Sequence, residues 1–348
     1  MRVLQVMAGA AAGGAETMML DGTLALAEAG VEQRAITRPD SAERLNALKR
    51  ADVPVALASF DRLWRLPTQR AIAAALRDFK PDVLHFWMGR AGGFAPQQTR
   101  ARNLAWYGGY YKIARFRNCA WHAGVTSDIA RAVIAQGAPP ERVSVLHTYA
   151  NIPPAAEPIA RAALNTPDDA PVILVLARLH WKKGVDTMLD ALPGLPGAHL
   201  WIAGAGPLEN DLKAQAHKLG LADRAHFLGW RDDRARLLAA CDVVAFPSRY
   251  EPFGNVTPEA WAAKKPLVVA DAAGPAATVT HEHDALLVPK DNPEALRAAL
   301  ARVIADKALA AKLVENGAQS LETHYTKAAF VSECLALYQR IVAAAPDA

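Results

Sequence analysis

At 348 residues, 52% hydrophobic and 21% charged, the chain is too long for one ordinary core and reads as two soluble domains of roughly 150 to 200 residues each. No apolar run approaches the ~20 residues of a membrane span, and the N-terminal M-R-V-L-Q-V-M-A-G-A is too short and too Gly-interrupted for a signal peptide, so it reads as a first strand. Cys119, Cys241 and Cys334 are scattered without metal-ligand spacing and fit reduced thiols of a cytoplasmic chain, while the net charge of +4 divides unevenly, +7 over residues 1–165 and −3 over the rest.

The first half alternates strand and helix. Residues 3–7 read as a strand, and A-G-A-A-A-G-G-A-E follows as a loop carrying Gly9, Gly13 and Gly14 ahead of a helix over about 15–29. Small residues there let backbone N–H groups approach a ligand. The pattern is not G-x-G-x-x-G and no Walker lysine follows, which disfavours a dinucleotide or P-loop site. Strands are expected over 32–37, 53–58 and 82–87, with helices over 42–50 and 67–79. Between Asp82 and Asp128 there is no acidic residue, but there are Arg90, Arg100, Arg102, Lys112, Arg115 and Arg117 among nine aromatics. Such a segment suits an anionic partner or the face of an anionic membrane; an Arg-rich surface over core aromatics is the competing reading. A strand over 121–125, a helix capped by Ser127 and ending at Gly137, and a strand over 143–147 complete a parallel, doubly wound α/β pattern.

From Tyr149 to Pro171 the chain is proline-rich without apolar period, as an interdomain linker would be. A second alternation then begins. Strands are expected over 172–176, 199–203, 226–228, 242–246 and 267–270, helices over 185–192, 208–219 and 231–240, and a helical tail from about Asn292 with Phe330, Leu335, Tyr338 and Ile341 as its apolar positions.

Ligands of such sheets bind beyond the carboxyl ends of the strands, where helix N-termini attract anions. Four segments lie on that rim. In A-R-L-H-W-K-K-G, Arg178 and Lys183 sit between strand and helix and could clamp a diphosphate, or could be a solvated pair. A-G-A-G-P (203–207) is a tight turn. In F-L-G-W-R, Gly229 and the following backbone could hold a flat ring, or be a turn with Trp230 as packing. The fourth, F-P-S-R-Y-E-P-F-G-N-V-T-P-E, breaks a strand into a loop with Glu251 and starts a helix in which Thr257 can cap, Pro258 fits the first position and Glu259 the first turn. A phosphorylated ligand is expected there, with the two glutamates on its hydroxyl-bearing parts.

Together, E-P-F-G-N-V-T-P-E-A-W-A, A-R-L-H-W-K-K-G and F-L-G-W resemble the donor site of retaining GT-B glycosyltransferases, in particular glycosyltransferase family 4, and the G-G-A-E loop fits as well. The resemblance implies two Rossmann-like α/β domains facing a cleft, one from 1–160 plus a returning helix over 327–348, the other from 161–326. It implies that Arg178 and Lys183 hold the nucleotide diphosphate, Glu251 the donor-sugar hydroxyls and Glu259 the ribose. Main-chain groups of Gly254, Asn255, Val256 and Thr257 would contact the sugar and phosphate, Gly229 and Trp230 would border the base, and Gly13 and Gly14 would complete the donor site.

The first half departs from the usual pattern: the A-T-x-H-like segment is missing, and H-T-Y-A-N-I (147–152) stands where N-G-V-D is usual. W-M-G-R-A, W-Y-G-G-Y-Y-K and V-T-S-D-I instead resemble a bacterial subgroup associated with lipopolysaccharide core or other surface glycans. That resemblance puts Arg90, Gly108, Gly109, Tyr110, Lys112 and His122 on the acceptor side, with His85 also a candidate to approach the reacting carbon.

The implied reaction is front-face transfer of a hexose from a UDP- or GDP-linked sugar to a lipid-linked or oligosaccharide acceptor. Neither a metal nor a cofactor is expected, since no D-x-D-type motif adjoins the donor segments, and no nucleic acid partner is expected. A GT-B-fold sugar-nucleotide epimerase, or a non-enzymatic anion-binding protein, are the alternative readings.

Overall fold

The computed structural model describes residues 1–11, 13–152 and 156–344, with Ala101 described in its backbone only. Ala12 of the glycine-rich loop, Pro153, Pro154 and Ala155 of the expected linker, and residues 345–348 of the expected tail lie outside the described residues. Two compact units divide the chain, Met1–Tyr149 together with the segment from Thr326, and Ala150–Tyr325.

In the first unit the chain runs β1 (Arg2–Met7), α1 (Gly14–Glu28), β2 (Glu32–Thr37), α2 (Ala42–Arg50), β3 (Val55–Leu57), α3 (Leu66–Phe79), β4 (Val83–Trp87), α4 (Met88–Gly92), β5 (Asn103–Tyr107), β6 (Trp121–Gly124), α5 (Ser127–Ala135) and β7 (Val143–Val145). The strands form one parallel sheet in the order β3-β2-β1-β4-β5-β6-β7. β5 lies inside the basic, aromatic window and was not expected. Its residues are buried, as are Phe86, Trp87, Phe94, Phe116 and Trp121, so most of these aromatics are core, while Arg90, Tyr110, Lys112, Arg115 and Arg117 are exposed. Thr126, not Ser127, caps α5, accepting from the N–H of Ile129 at 3.2 Å.

The second unit runs β8 (Val172–Leu176), α6 (Val185–Ala191), β9 (His199–Ala203), α7 (Glu209–Lys218), β10 (Ala225–Gly229), α8 (Arg234–Ala240), β11 (Val243–Phe246), α9 (Val256–Ala262), β12 (Leu267–Ala270), α10 (Ala273–Thr278), β13 (Leu286–Val288), α11 (Pro293–Ala305) and α12 (Lys307–His324). Its sheet is again parallel, in the order β10-β9-β8-β11-β12-β13. The expected linker is partly pinned to this unit: Arg161 donates to the carbonyls of Ala170 (2.8 Å) and Ala240 (2.9 Å) and pairs with Asp242 at 3.0 Å. The expected continuous helical tail is three helices, broken at Asp306 and at Tyr325.

The last helix, α13 (Lys327–Ala344), belongs to the first unit. It buries Phe330, Cys334, Leu337, Tyr338 and Ile341; Leu335, expected inward, is only partly buried. Tyr338 Oη lies 2.8 Å from His85 Nδ1 on β4, and His85 stacks on Trp87 with ring centroids 4.2 Å apart. Phe330 packs against Gly22 of α1, where any side chain would collide with its ring. A buried polar chain continues below β1: Trp87 Nε1 donates to Gln5 (2.8 Å), Gln5 to Gln33 (2.8 Å), and Gln33 to the Thr23 carbonyl (2.9 Å). Trp87, Gln5 and Gln33 are thereby partnered, as burial requires, whereas His85 Nε2 is buried without a hydrogen-bond partner.

Candidate functional site

In the second sheet, chain order reverses between β8 and β11. The loops leaving these two neighbours therefore diverge to opposite faces and leave a crevice at their carboxyl ends. Residues 177–184 and 247–255 meet there. Lys183 Nζ pairs with Glu251, and both side chains are mostly buried. The two residues predicted to clamp phosphate and bind sugar are thus in contact, and a ligand's hydroxyls or phosphates would share or replace that contact. Arg178 is exposed and, among the described residues, makes no ion pair.

Close approach of the loops depends on glycine. Gly184 has φ +61° and a side chain there would strike the Pro247 carbonyl; Gly204, at φ +150°, is pressed in the same way against the Ala177 carbonyl. Leu179 N–H donates to the Ala205 carbonyl at 3.0 Å and Leu208 N–H to the Leu179 carbonyl at 3.1 Å, so the A-G-A-G-P turn supports the Arg178 loop from beside it. Gly229 turns the chain at φ +67° with open space around it, and Trp230 next to it is 76% exposed, so Trp230 is not core packing.

The start of α9 differs from expectation. Asn255 occupies the cap position without a side-chain bond, and Thr257 and Pro258 are the second and third helical residues. Thr257 does not cap: its Oγ1 is buried with no hydrogen-bond partner, as is Ser248 Oγ in the same loop. Glu259 is nearly buried and meets Arg234, the first residue of α8, at 3.3 Å. The segment after Gly229 is further fixed by Arg231, which donates to Asp233 through Nε at 2.7 Å and through Nη2 at 2.5 Å.

One residue that sequence reasoning passed over organises the site. Arg249 Nη1 and Nη2 donate to the two carboxylate oxygens of Asp186 (2.7 and 2.6 Å), and Nη1 also donates to the Trp181 carbonyl at 2.7 Å. Its Nη2 reaches Thr187 Oγ1 (3.1 Å), its Nε pairs with Asp291, and its own N–H donates to the Lys182 carbonyl at 2.9 Å. Burial works to raise the Asp186 pKa, and the bonded guanidinium outweighs it and holds the carboxyl below the usual range. The turn Trp181–Lys183 is thereby tied to the loop that carries Glu251. The only sequence signals were an arginine two places before Glu251 and an acid in the first turn of α6.

In the first unit the reversal falls between β1 and β4. Beyond β1, Gly9 and Gly13 close around the Glu16 carboxylate, which accepts from the Ala10 N–H at 2.8 Å. The glycine loop of Gly13 and Gly14 is therefore filled by the chain's own anion, because Glu16 on the first turn of α1 reaches back over it. Arg90, Tyr110 and Lys112 are exposed, Gly108 is partly buried and Gly109 buried. Tyr110 donates to Asp128. His122 is buried against the Tyr107 hydroxyl at 3.0 Å and His85 is fully buried, so both leave the acceptor-side set. Desolvation lowers both pKa values, to about 4 for His122 and about 3 for His85. Cys119, Cys241 and Cys334 are free and buried.

Residues 157–320 match the family model for glycosyl transferases group 1, and residues 12–151 match that for glycosyltransferase family 4. The chain is 33% identical over 338 residues to the lipopolysaccharide core biosynthesis glycosyltransferase LpsD of Rhizobium meliloti, covering 95% of this chain and 96% of LpsD. It is 34% identical over 331 residues to LpsE of the same organism, described in the same words, covering 93% of this chain and 95% of LpsE. Anabaena HepE, solved in complex with UDP, shares the fold at a TM-score of 0.82 and 20% identity, covering 98% of this chain and all of HepE's (100%). Two parallel-sheet domains, a cation–glutamate pair at the second sheet's reversal, and relatives matched over nearly their whole length place this chain in glycosyltransferase family 4, of GT-B fold, with lipopolysaccharide-core enzymes among its kin.

Proposed function

We propose that this enzyme is a retaining hexosyltransferase that takes its sugar from a UDP- or GDP-linked donor and adds it to a lipid-linked or oligosaccharide acceptor during lipopolysaccharide core assembly on the cytoplasmic side. The observation that carries the reading is the Lys183–Glu251 pair at the β8–β11 reversal, with Arg178 on the same rim. Glu251 then takes donor hydroxyls, Glu259 the ribose, the 254–257 backbone the sugar and β-phosphate, and Gly229 with Trp230 the edge of the base.

In front-face transfer the bond from the anomeric carbon to the diphosphate oxygen breaks as the acceptor oxygen bonds to that carbon from the same side. The acceptor proton passes to the departing phosphate, so no side-chain nucleophile is required. Negative charge grows on the leaving diphosphate, and Lys183, held by Glu251, together with Arg178 on the same rim would stabilise it without a metal. Loss of one such contact costs on the order of 10²- to 10³-fold in turnover.

The test is Lys183→Ala and Glu251→Ala, assayed with a panel of nucleotide sugars ranked first by thermal shift. Both variants should lose transfer and donor hydrolysis, and proton NMR of the product should show the donor's anomeric configuration. Wild-type rates in both variants would overturn the site. Conversion of donor to an epimeric sugar with no acceptor present would indicate an epimerase.

A further inference from the structure

Among the described residues, ten large hydrophobic side chains are exposed, and four of them fall within residues 57–66: Leu57, Leu63, Trp64 and Leu66. Leu63 is 91% and Trp64 74% exposed, so both stand clear of the surface instead of lining a groove. The turn that carries them is held from beneath. Asp61 Oδ1 accepts from the N–H groups of Leu63 (2.7 Å) and Trp64 (2.9 Å), and Phe60 N–H donates to Thr68 Oγ1 at 3.1 Å. Phe60 itself is buried edge-on against Phe94, with centroids 5.5 Å apart. Arg65 lies 4.4 Å over the same ring and donates to the Gly93 carbonyl at 2.6 Å. Two large apolar side chains are thus presented on a backbone that is already ordered before contact.

The surrounding charge indicates what they meet. Arg62, Arg65 and Arg70 flank the tip, and Asp61 is the only acid between Asp52 and Asp78. A convex apolar tip ringed by cations suits a soft, anionic medium. Leucine and tryptophan can sink to the boundary of head groups and acyl chains while the guanidinium groups pair with lipid phosphates. We propose that the loop between β3 and α3 is a membrane-docking tip that inserts Leu63 and Trp64 into an anionic bilayer. The loop leaves the carboxyl end of β3, and Arg65 ties it to the segment after β4, on the edge of the first sheet where ligands of such sheets bind. Docking would bring that edge to the lipid surface, where a lipid-linked acceptor would be met.

The surface is separate from the basic, aromatic window, and it rests on the first unit alone. Vesicle binding and nucleotide binding can therefore fail separately. The full-length protein is cosedimented with vesicles of phosphatidylglycerol and phosphatidylcholine, and with phosphatidylcholine alone, with UDP binding measured in parallel. Wild type should favour the anionic vesicles. Leu63→Ser with Trp64→Ser should lower partitioning roughly tenfold or more, and Arg62→Glu with Arg70→Glu should abolish the preference for anionic lipid, all with unchanged UDP binding. Brominated lipids should quench wild-type fluorescence more than that of Trp64→Phe. Equal partitioning of wild type and the Leu63/Trp64 variant would overturn the proposal, as would self-association that these substitutions abolish in the absence of lipid.

Discussion

Arg249→Ala separates what the proposed donor site needs for stability from what it needs for chemistry. Arg249 is 19% exposed, while its acidic partners Asp186 and Asp291 are 39% and 56% exposed and can rehydrate when it is removed. Breaking a buried ion pair costs about 3–5 kcal/mol, and partial solvation of the stranded acids brings the expectation here to about 2–3 kcal/mol. For a unit of this size that is a fall in melting temperature of roughly 5–10 °C. The effect on turnover should be larger than stability alone explains. The Trp181 carbonyl keeps only its 3.4 Å bond from the Gly184 N–H, the turn bearing Lys183 loosens, and kcat/KM for the donor should fall about 10²-fold. The double-mutant cycle is decisive: if Arg249 works by holding Lys183, then Arg249→Ala adds nothing to the loss already caused by Lys183→Ala. Arg249→Lys should recover part of the stability and less of the rate, since one ammonium cannot span both Asp186 oxygens and the Trp181 carbonyl. Additive losses in the cycle, or a full thermal penalty with kcat/KM within twofold of wild type, would refute the reasoning.

Two further outcomes follow from the buried histidines and from the glycine turns. His85 and His122 are buried neutral, with pKa values of about 3 and about 4 against 6.5 when unfolded. Below pH 6.5 the unfolded chain binds protons that the folded one refuses, so stability is complete above that pH and declines on acidification toward pH 4. At pH 5 the loss is about 2 kcal/mol per histidine; melting curves of wild type and of His85→Gln should converge as the pH falls, and parallel curves would exclude it. Gly204→Ala should displace the Ala177–Arg178 backbone and cost about 1–3 kcal/mol along with nucleotide binding. Gly220→Ala, equally left-handed at φ +69° but in open space, should cost stability and leave binding intact, as a UDP titration would show.

The alternation of the fold was legible because buried parallel strands are short apolar runs with clear ends. β8, β9 and β12 coincide with their expected residues for that reason. β5 escaped because Asn103–Tyr107 is flanked by arginines and reads as part of a polar, aromatic surface; β13 is only three residues long, and α10 opens through A-G-P, a breaker pattern. The caps at Thr126 and Asn255 were each misplaced by one or two residues, as helix ends commonly are. Lys183 and Glu251 could be found because loop, strand and helix follow one another locally around each. The Arg249–Asp186 pair joins positions 63 residues apart and leaves no local pattern. The loop at Leu63 and Trp64 gave no sign either, because apolar residues in a sequence carry no mark of whether anything covers them.

The return of α13 to the first sheet has a consequence for the order in which the protein is made. Tyr338 and Phe330 complete a core begun by β1 and α1, yet all of the second unit is translated between them. On the ribosome the second unit can finish folding while the first still lacks its closing helix, with His85 and Gly22 uncovered. A chain cut short at Thr326 would therefore fail at its N-terminal half, more than 150 residues away from the break along the sequence.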